Sequence, residues 1–175
     1  MSMAHLRKLL PPPNQAQERP TKDHWVEIES LWGTLPSDYH QFVEVYGSGC
    51  IDEFIWIFNP VANNKNINFS CQAEKQLDAL REVNAFGLEA SMILFPEPSG
   101  LLPIGITDNG DVIVWQTKET PEDWIVGVLP SRNSPVLLFE RNLTGFISGL
   151  LERAIVCQVF PHDFPSDEPR FKSII

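Results

Sequence analysis

Apolar side chains recur at helical spacing in four places along the chain. In TKDHWVEIESLWG, Trp25, Ile28 and Trp32 share one face; Thr21 or Asp23 can cap the start, and Gly33 can end it. In LPSDYHQFVEVYGSG, Tyr39, Phe42, Val43 and Tyr46 stand at i, i+3, i+4 and i+7. Pro36 suits the first turn of that helix, and Gly47 suits the left-handed residue that stops it. A third helix opens at Ser70, with Ala73, Leu77, Leu80 and Asn84 on one side. The fourth carries Leu143, Phe146, Ile147, Leu150, Leu151 and Ala154 behind an Asn142 cap. Gly145 and Gly149 cost this last helix some stability, and their spacing predicts close packing against a sheet.

Between these helices the pattern turns extended. Phe54 to Phe58 is apolar on both faces, as a central strand is. SMILFP is a short strand candidate, and WIVGVLP and VLLF are two more. GLLPIGIT and VIVW flank Asn109-Gly110, the strongest short hairpin signal, whose favoured two-residue turn needs positive φ at both positions. In that register Thr107 opposes Val112, Ile106 opposes Ile113, Ile104 opposes Trp115, and Asp108 opposes Asp111. Residues 1–20, with Pro11, Pro12, Pro13 and Pro20, predict a flexible tail. Residues 21–156 make the domain, and the proline-rich stretch 157–175 lies over its surface. Two helices, a strand, a helix, a run of strands and a closing helix imply an α+β fold. Its sheet is mostly antiparallel, of about five to six strands, with helices packed against it. No internal repeat is present.

With 175 residues, 43% of them hydrophobic, the chain is long enough for one domain with a full core. Thirteen Lys+Arg against 23 Asp+Glu give a net charge of −10. That balance excludes a general nucleic-acid binder and docking on anionic lipid; it favours a basic protein partner, or solubility alone. The charge is uneven. Between Lys22 and Lys65 stand Asp23, Glu27, Glu29, Asp38, Glu44, Asp52 and Glu53 with no intervening cation. From Glu89 to Ser131, Glu89, Glu97, Asp108, Asp111, Glu119, Glu122 and Asp123 face Lys118 alone. No uncharged apolar run approaches the ~20 residues of a membrane-spanning helix. Cys50, Cys71 and Cys157 are odd in number and scattered, which argues against a disulfide framework and for a reducing compartment. The apolar stretch before Pro11 is too short for a signal peptide. The expectation is a cytoplasmic protein, monomeric or weakly dimeric.

The usual constellations of catalysis are missing. There is no GxSxG elbow, no HExxH and no phosphate-cradling glycine loop, and His5, His24, His40 and His162 are scattered. Cys50 and His40 could meet in space, but a buried cysteine and a surface histidine is the commoner outcome. Asp108 and Asp111 offer hard oxygen ligands without the dozen-residue alternation and closing glutamate of a calcium loop. No metal, cofactor or catalytic residue is therefore expected. Facing aspartates cost a few tenths of a kcal/mol to about 1 kcal/mol, and an aspartate at a turn edge recovers this by bonding backbone N–H groups. Asn109 and Gly110 are then structural turn residues, turn chemistry suffices for Asp108, and Asp111 is the better candidate for a contact. The candidate partner-binding set is Asp52, Glu53, Asp108, Asp111, Glu119, Glu122 and Asp123, with Trp124 as an aromatic anchor.

Three segments together resemble a known family. Leu35-Pro36, Asp38-Tyr39, Phe42, Tyr46-Gly47 and Gly49 precede a strand ending in Asn59-Pro60; Gly110-Asp111 then opens a strand, and LTGFISGLL closes the pattern. In order and spacing, from about Lys22 to Val156, this is similar to the SUKH superfamily of Smi/Knr-like domains. The resemblance implies a compact α+β domain without catalytic residues. Bacterial members are largely immunity proteins that bind and neutralise toxin domains, often nucleases, and fungal members are regulatory scaffolds for cell-wall synthesis. It assigns no active-site residue, and it leaves Asp111, which matches a recurrent acid, either structural or partner-facing.

Overall fold

A computed structural model of the chain describes residues 2–87, 91–132 and 135–174. Glu89, part of the second acid-rich window, lies outside them. Among the described residues, five α-helices pack with an antiparallel sheet of seven strands, the α+β class that the alternation of patterns implies. The helices are α1 (Met3–Leu9), α2 (Lys22–Trp32), α3 (Ser37–Tyr46), α4 (Phe69–Phe86) and α5 (Leu143–Leu151). The strands are β1 (Gly49–Ile51), β2 (Ile55–Ile57), β3 (Leu101–Thr107), β4 (Val112–Gln116), β5 (Ile125–Leu129), β6 (Leu137–Phe139) and β7 (Phe171–Ser173). Their order across the sheet is β6-β5-β4-β3-β2-β1-β7.

The helical stripes bury as their spacing dictates. Trp25, Ile28 and Trp32 of α2 and Tyr39, Phe42, Val43 and Tyr46 of α3 are all core residues. Thr21 caps α2 reciprocally with His24, whose Nδ1 accepts from the Thr21 N–H at 3.1 Å. Tyr39 meets Trp115 of β4 edge-to-face at 5.1 Å, and its hydroxyl donates to the Phe58 carbonyl, which fixes α3 on the sheet. Asn68 rather than Ser70 caps α4. The last helix stops at Leu151, short of Ala154, and Arg153 adopts a left-handed φ of 59°. The space above Gly149 is taken by Ile155, folding back from the segment after the helix, and not by the sheet.

Three expectations need correction. Residues 2–20 pack on the domain and are not a free tail. Leu6 and Leu10 are fully buried, Tyr46 donates its hydroxyl to the Leu10 carbonyl at 2.6 Å, and His5 meets Glu152 at 2.7 Å. Gln17 accepts from the Ser48 N–H at 3.1 Å and lies so close to Gly47 that a Cβ there would overlap it. Secondly, SMILFP is not a strand; Leu94 makes only an isolated bridge to Leu101. The sheet instead gains β1 and β7, three-residue strands too short to show a period of two.

The third correction concerns the central hairpin. Ile106 pairs with Val112 and Gly105 with Ile113, one residue out from the symmetric register, and a bulge at Ile104 adds a second residue of shift, so that Leu102 and not Ile104 stands opposite Trp115. The connection therefore has three residues, Asp108-Asn109-Gly110, of which Gly110 alone takes positive φ, at 85°. That is the longer hairpin loop ending in a left-handed residue. Because side chains alternate faces, the one-residue shift separates the two aspartates.

Candidate functional site

The hairpin sends its two aspartates to different environments. Asp111 is 3% exposed. Its Oδ2 accepts from Thr107 Oγ1 at 3.1 Å, its Oδ1 accepts from the Ser131 N–H at 2.9 Å, and its own N–H donates to Thr107 Oγ1. Asp111 thus ties the hairpin to the end of β5, with its carboxylate buried and bonded within the domain. Asp108 is exposed and accepts from Trp56 Nε1 at 2.8 Å. The facing pair that like charge should penalise does not exist.

Around Asp108 the turn between β1 and β2 contributes Asp52 and Glu53, both in left-handed backbone at φ 50° and 54°. Such conformations are uncommon outside glycine, and here they are held from outside the turn. Both oxygens of Asp52 accept from Ser166, one from its N–H and one from its hydroxyl, at 2.6 Å each. Glu53 pairs with Lys172 at 3.2 Å. The convergence of these acids is felt at Cys50: burial, followed by the carboxylates of Asp108, Glu53 and Asp52, pushes its thiol up to about 12. Beside the turn lies a cleft of about 620 Å³, floored by Phe54, Phe164 and Phe171 and rimmed by Asp163, Glu168 and Arg170.

The second acid-rich group sits elsewhere. Strand β4 leads away from the hairpin, so residues 117–124 emerge at the opposite end of the sheet, where Thr117 N–H donates to Gly100 O. Five residues of β4 at ~3.3 Å each put the two groups roughly 17 Å apart. Here Glu122 accepts at 2.9 Å from both the N–H and the hydroxyl of Ser37, satisfying the start of α3, whose Pro36 cap has no side-chain donor or acceptor. Asp38, 8% exposed, accepts from the Thr144 N–H at 2.8 Å in the first turn of α5. Desolvation raises its pKa; the Thr144 bonds oppose this, and Glu122 adds to it. Trp124 is buried at 7% exposure, edge-on to Trp115, with Nε1 donating to the Lys118 carbonyl at 2.8 Å. It is a core residue, not an exposed anchor. Glu119 and Asp123 are exposed, and their carboxylates make no hydrogen bond or ion pair among the described residues.

The candidate set thus divides three ways. Asp52, Glu53 and Asp108 gather at the hairpin end, Glu119, Glu122 and Asp123 at the other, and Asp111 and Trp124 serve the core. Ser166, Asp163 and Glu168 were not legible in advance, since only the C-terminal crossover brings residues 160–170 against the β1–β2 turn. Cys50 and His40 do not meet: Cys50 pairs with Trp56 and Lys172 across the sheet, while His40 stacks on Trp25 at 3.8 Å beside Glu29. Among the described residues, no three His, Cys, Asp or Glu side chains converge as a metal site, and no helix is long and apolar enough to cross a membrane.

Residues 22–147 match the family described as SMI1-KNR4 cell-wall. No curated protein and no solved structure matches the chain.

Proposed function

The chain belongs to the SMI1-KNR4 cell-wall family of the SUKH superfamily, and on that premise we propose that it is a non-catalytic protein-binding domain: an immunity protein that neutralises a cognate basic toxin domain, such as a nuclease. The observation that carries this reading is the exposed pair Glu119 and Asp123. Their carboxylates project from the 117–124 loop without a partner among the described residues, while their neighbour Glu122 is committed to Ser37. Carboxylates that do nothing for the fold yet repel one another are what an electrostatically steered interface needs. Steering of this kind raises association rates roughly 10- to 1,000-fold at low salt.

The family's cell-wall description supports a second reading, a regulatory or scaffold module that binds an endogenous protein. The two part on one experiment. If a toxin domain is encoded beside this gene, it is expressed alone and together with this chain. Restored growth and a co-purifying complex support the immunity reading; unrelieved toxicity with no complex removes it. Glu119→Gln with Asp123→Asn should then slow association at low salt and flatten its salt dependence, with the thermal midpoint unchanged. Association at the unaltered rate would assign these acids to solvation alone.

A further inference from the structure

The sheet ends in an open edge. Among the described residues, β7 pairs only with β1, through Gly49–Ser173, Cys50–Lys172 and Ile51–Phe171. Asp52 N–H donates to Arg170 O and Ile174 N–H to Ser48 O, so residues 170, 172 and 174 direct their backbone bonds inward. By the alternation of an antiparallel ladder, the N–H and C=O groups of Phe171 and Ser173 face outward. The opposite edge is less available, because Arg141 N–H folds back onto the Phe139 carbonyl of β6. An open edge is a template for another strand.

The cleft beside β7 adds an apolar floor and a charge preference. Lys172, Arg170 and Arg153 are each engaged, with Glu53, Glu168 and Asp167 respectively. Asp52 is satisfied by Ser166. Asp163, on the rim, has no hydrogen bond or ion pair among the described residues, and Asp108 stands nearby on the next turn. The local excess is negative, and its unengaged member points to a cation.

We propose that the edge of β7 and the adjoining cleft accept a basic extended segment of a partner protein as an eighth strand, with one apolar side chain over Phe54, Phe164 and Phe171 and one Lys or Arg against Asp163. Main-chain bonds give such complexes affinity, and the alternating side-chain pockets give them specificity. This surface lies at the far end of the sheet from Glu119 and Asp123 and does not depend on the toxin reading; it requires only that the domain bind a protein.

The probe is an acetylated heptapeptide of alternating lysine and valine with a central phenylalanine, titrated into the full chain and followed by backbone amide shifts. Binding should move the Phe171 and Ser173 amides first. N-methylating the peptide on its bonding edge should weaken it at least about tenfold, since two bonds of ~1 kcal/mol each are lost. Asp163→Asn should weaken it about 2- to 5-fold, as expected for one exposed ion pair. Ser173→Pro removes an outward N–H and no ladder bond, so it should abolish binding with the fold retained. If that variant unfolds, the N-methylated peptide decides alone. Shifts that map to another surface, no binding at millimolar peptide, equal binding by a glutamate analogue, or indifference to N-methylation would each overturn the proposal.

Discussion

The hydroxyl of Tyr46 donates to the carbonyl of Leu10 at 2.6 Å, and both residues are fully buried. This one contact joins the N-terminal helix to the end of α3, where Phe171 of β7 also packs against Tyr46, at 5.0 Å between rings. Segments from the two ends of the chain therefore close over the same aromatic side chain.

Removing the N-terminal segment should be costly. Leu6→Ala opens a cavity in a fully buried position and should lower stability by about 2–4 kcal/mol, a fall in thermal midpoint of roughly 4–16 °C for a domain of this size. Deleting residues 1–20 should cost more than about 5 °C by the same measure. A truncated chain that melts with the full one would show that the segment contributes nothing.

Asp111 should behave as a structural residue. Asp111→Ala strands the Ser131 N–H and the Thr107 hydroxyl, at ~1–3 kcal/mol for each unsatisfied group, and should destabilise the fold more than Asp111→Asn, which keeps an acceptor. Chelator should leave the melting curve of the unaltered protein unmoved. A midpoint that falls on chelation would reveal an ion at the hairpin.

Asp38 sets a pH dependence whose sign follows from its raised pKa. In the folded chain the buried carboxyl holds its proton to higher pH than in the unfolded chain. Its contribution to stability is therefore greatest below the ordinary value of 3.8 and declines as pH rises from there through the folded value. Asp38→Asn keeps an acceptor for the Thr144 N–H and removes this decline. Urea unfolding of both proteins should show the wild type gaining on the variant as pH is lowered toward 4. A gap independent of pH would mean that Asp38 is not titrating in this window.

Thiol chemistry should count one cysteine in the folded state. Cys71 is exposed, while Cys50 and Cys157 are buried with their thiols pushed up by desolvation. A disulfide reagent at pH 8 should modify one equivalent in the native protein and three after denaturation. Rapid native modification of a second thiol would mean that either β1 or the crossover at Cys157 opens.

Much of this molecule was legible before folding was considered. The stripes of α2, α3 and α4 bury because helical spacing aligns large apolar side chains, and that alignment is a local property. The Asn109-Gly110 turn is local too, and so is the sequence pattern that places residues 22–147 in their family. What local pattern could not give is where distant segments meet. Three-residue strands such as β1 and β7 carry too few side chains to show alternation; they exist because each pairs with a partner, β7 from more than a hundred residues away. The N-terminal segment fully buries Leu6 and, just past the helix, Leu10, and their value depends on the surfaces of α3 and α5 that receive them. Asp108 and Asp111 differ in fate because a three-residue loop shifts the hairpin by one position at the turn, and a period of two turns that single step into opposite faces. The acids that look like one field along the chain are divided because an antiparallel strand carries its two ends to opposite sides of the sheet. Sequence determined which segments bury a face; the tertiary structure alone decided which carboxylates serve the fold and which are left exposed to solvent.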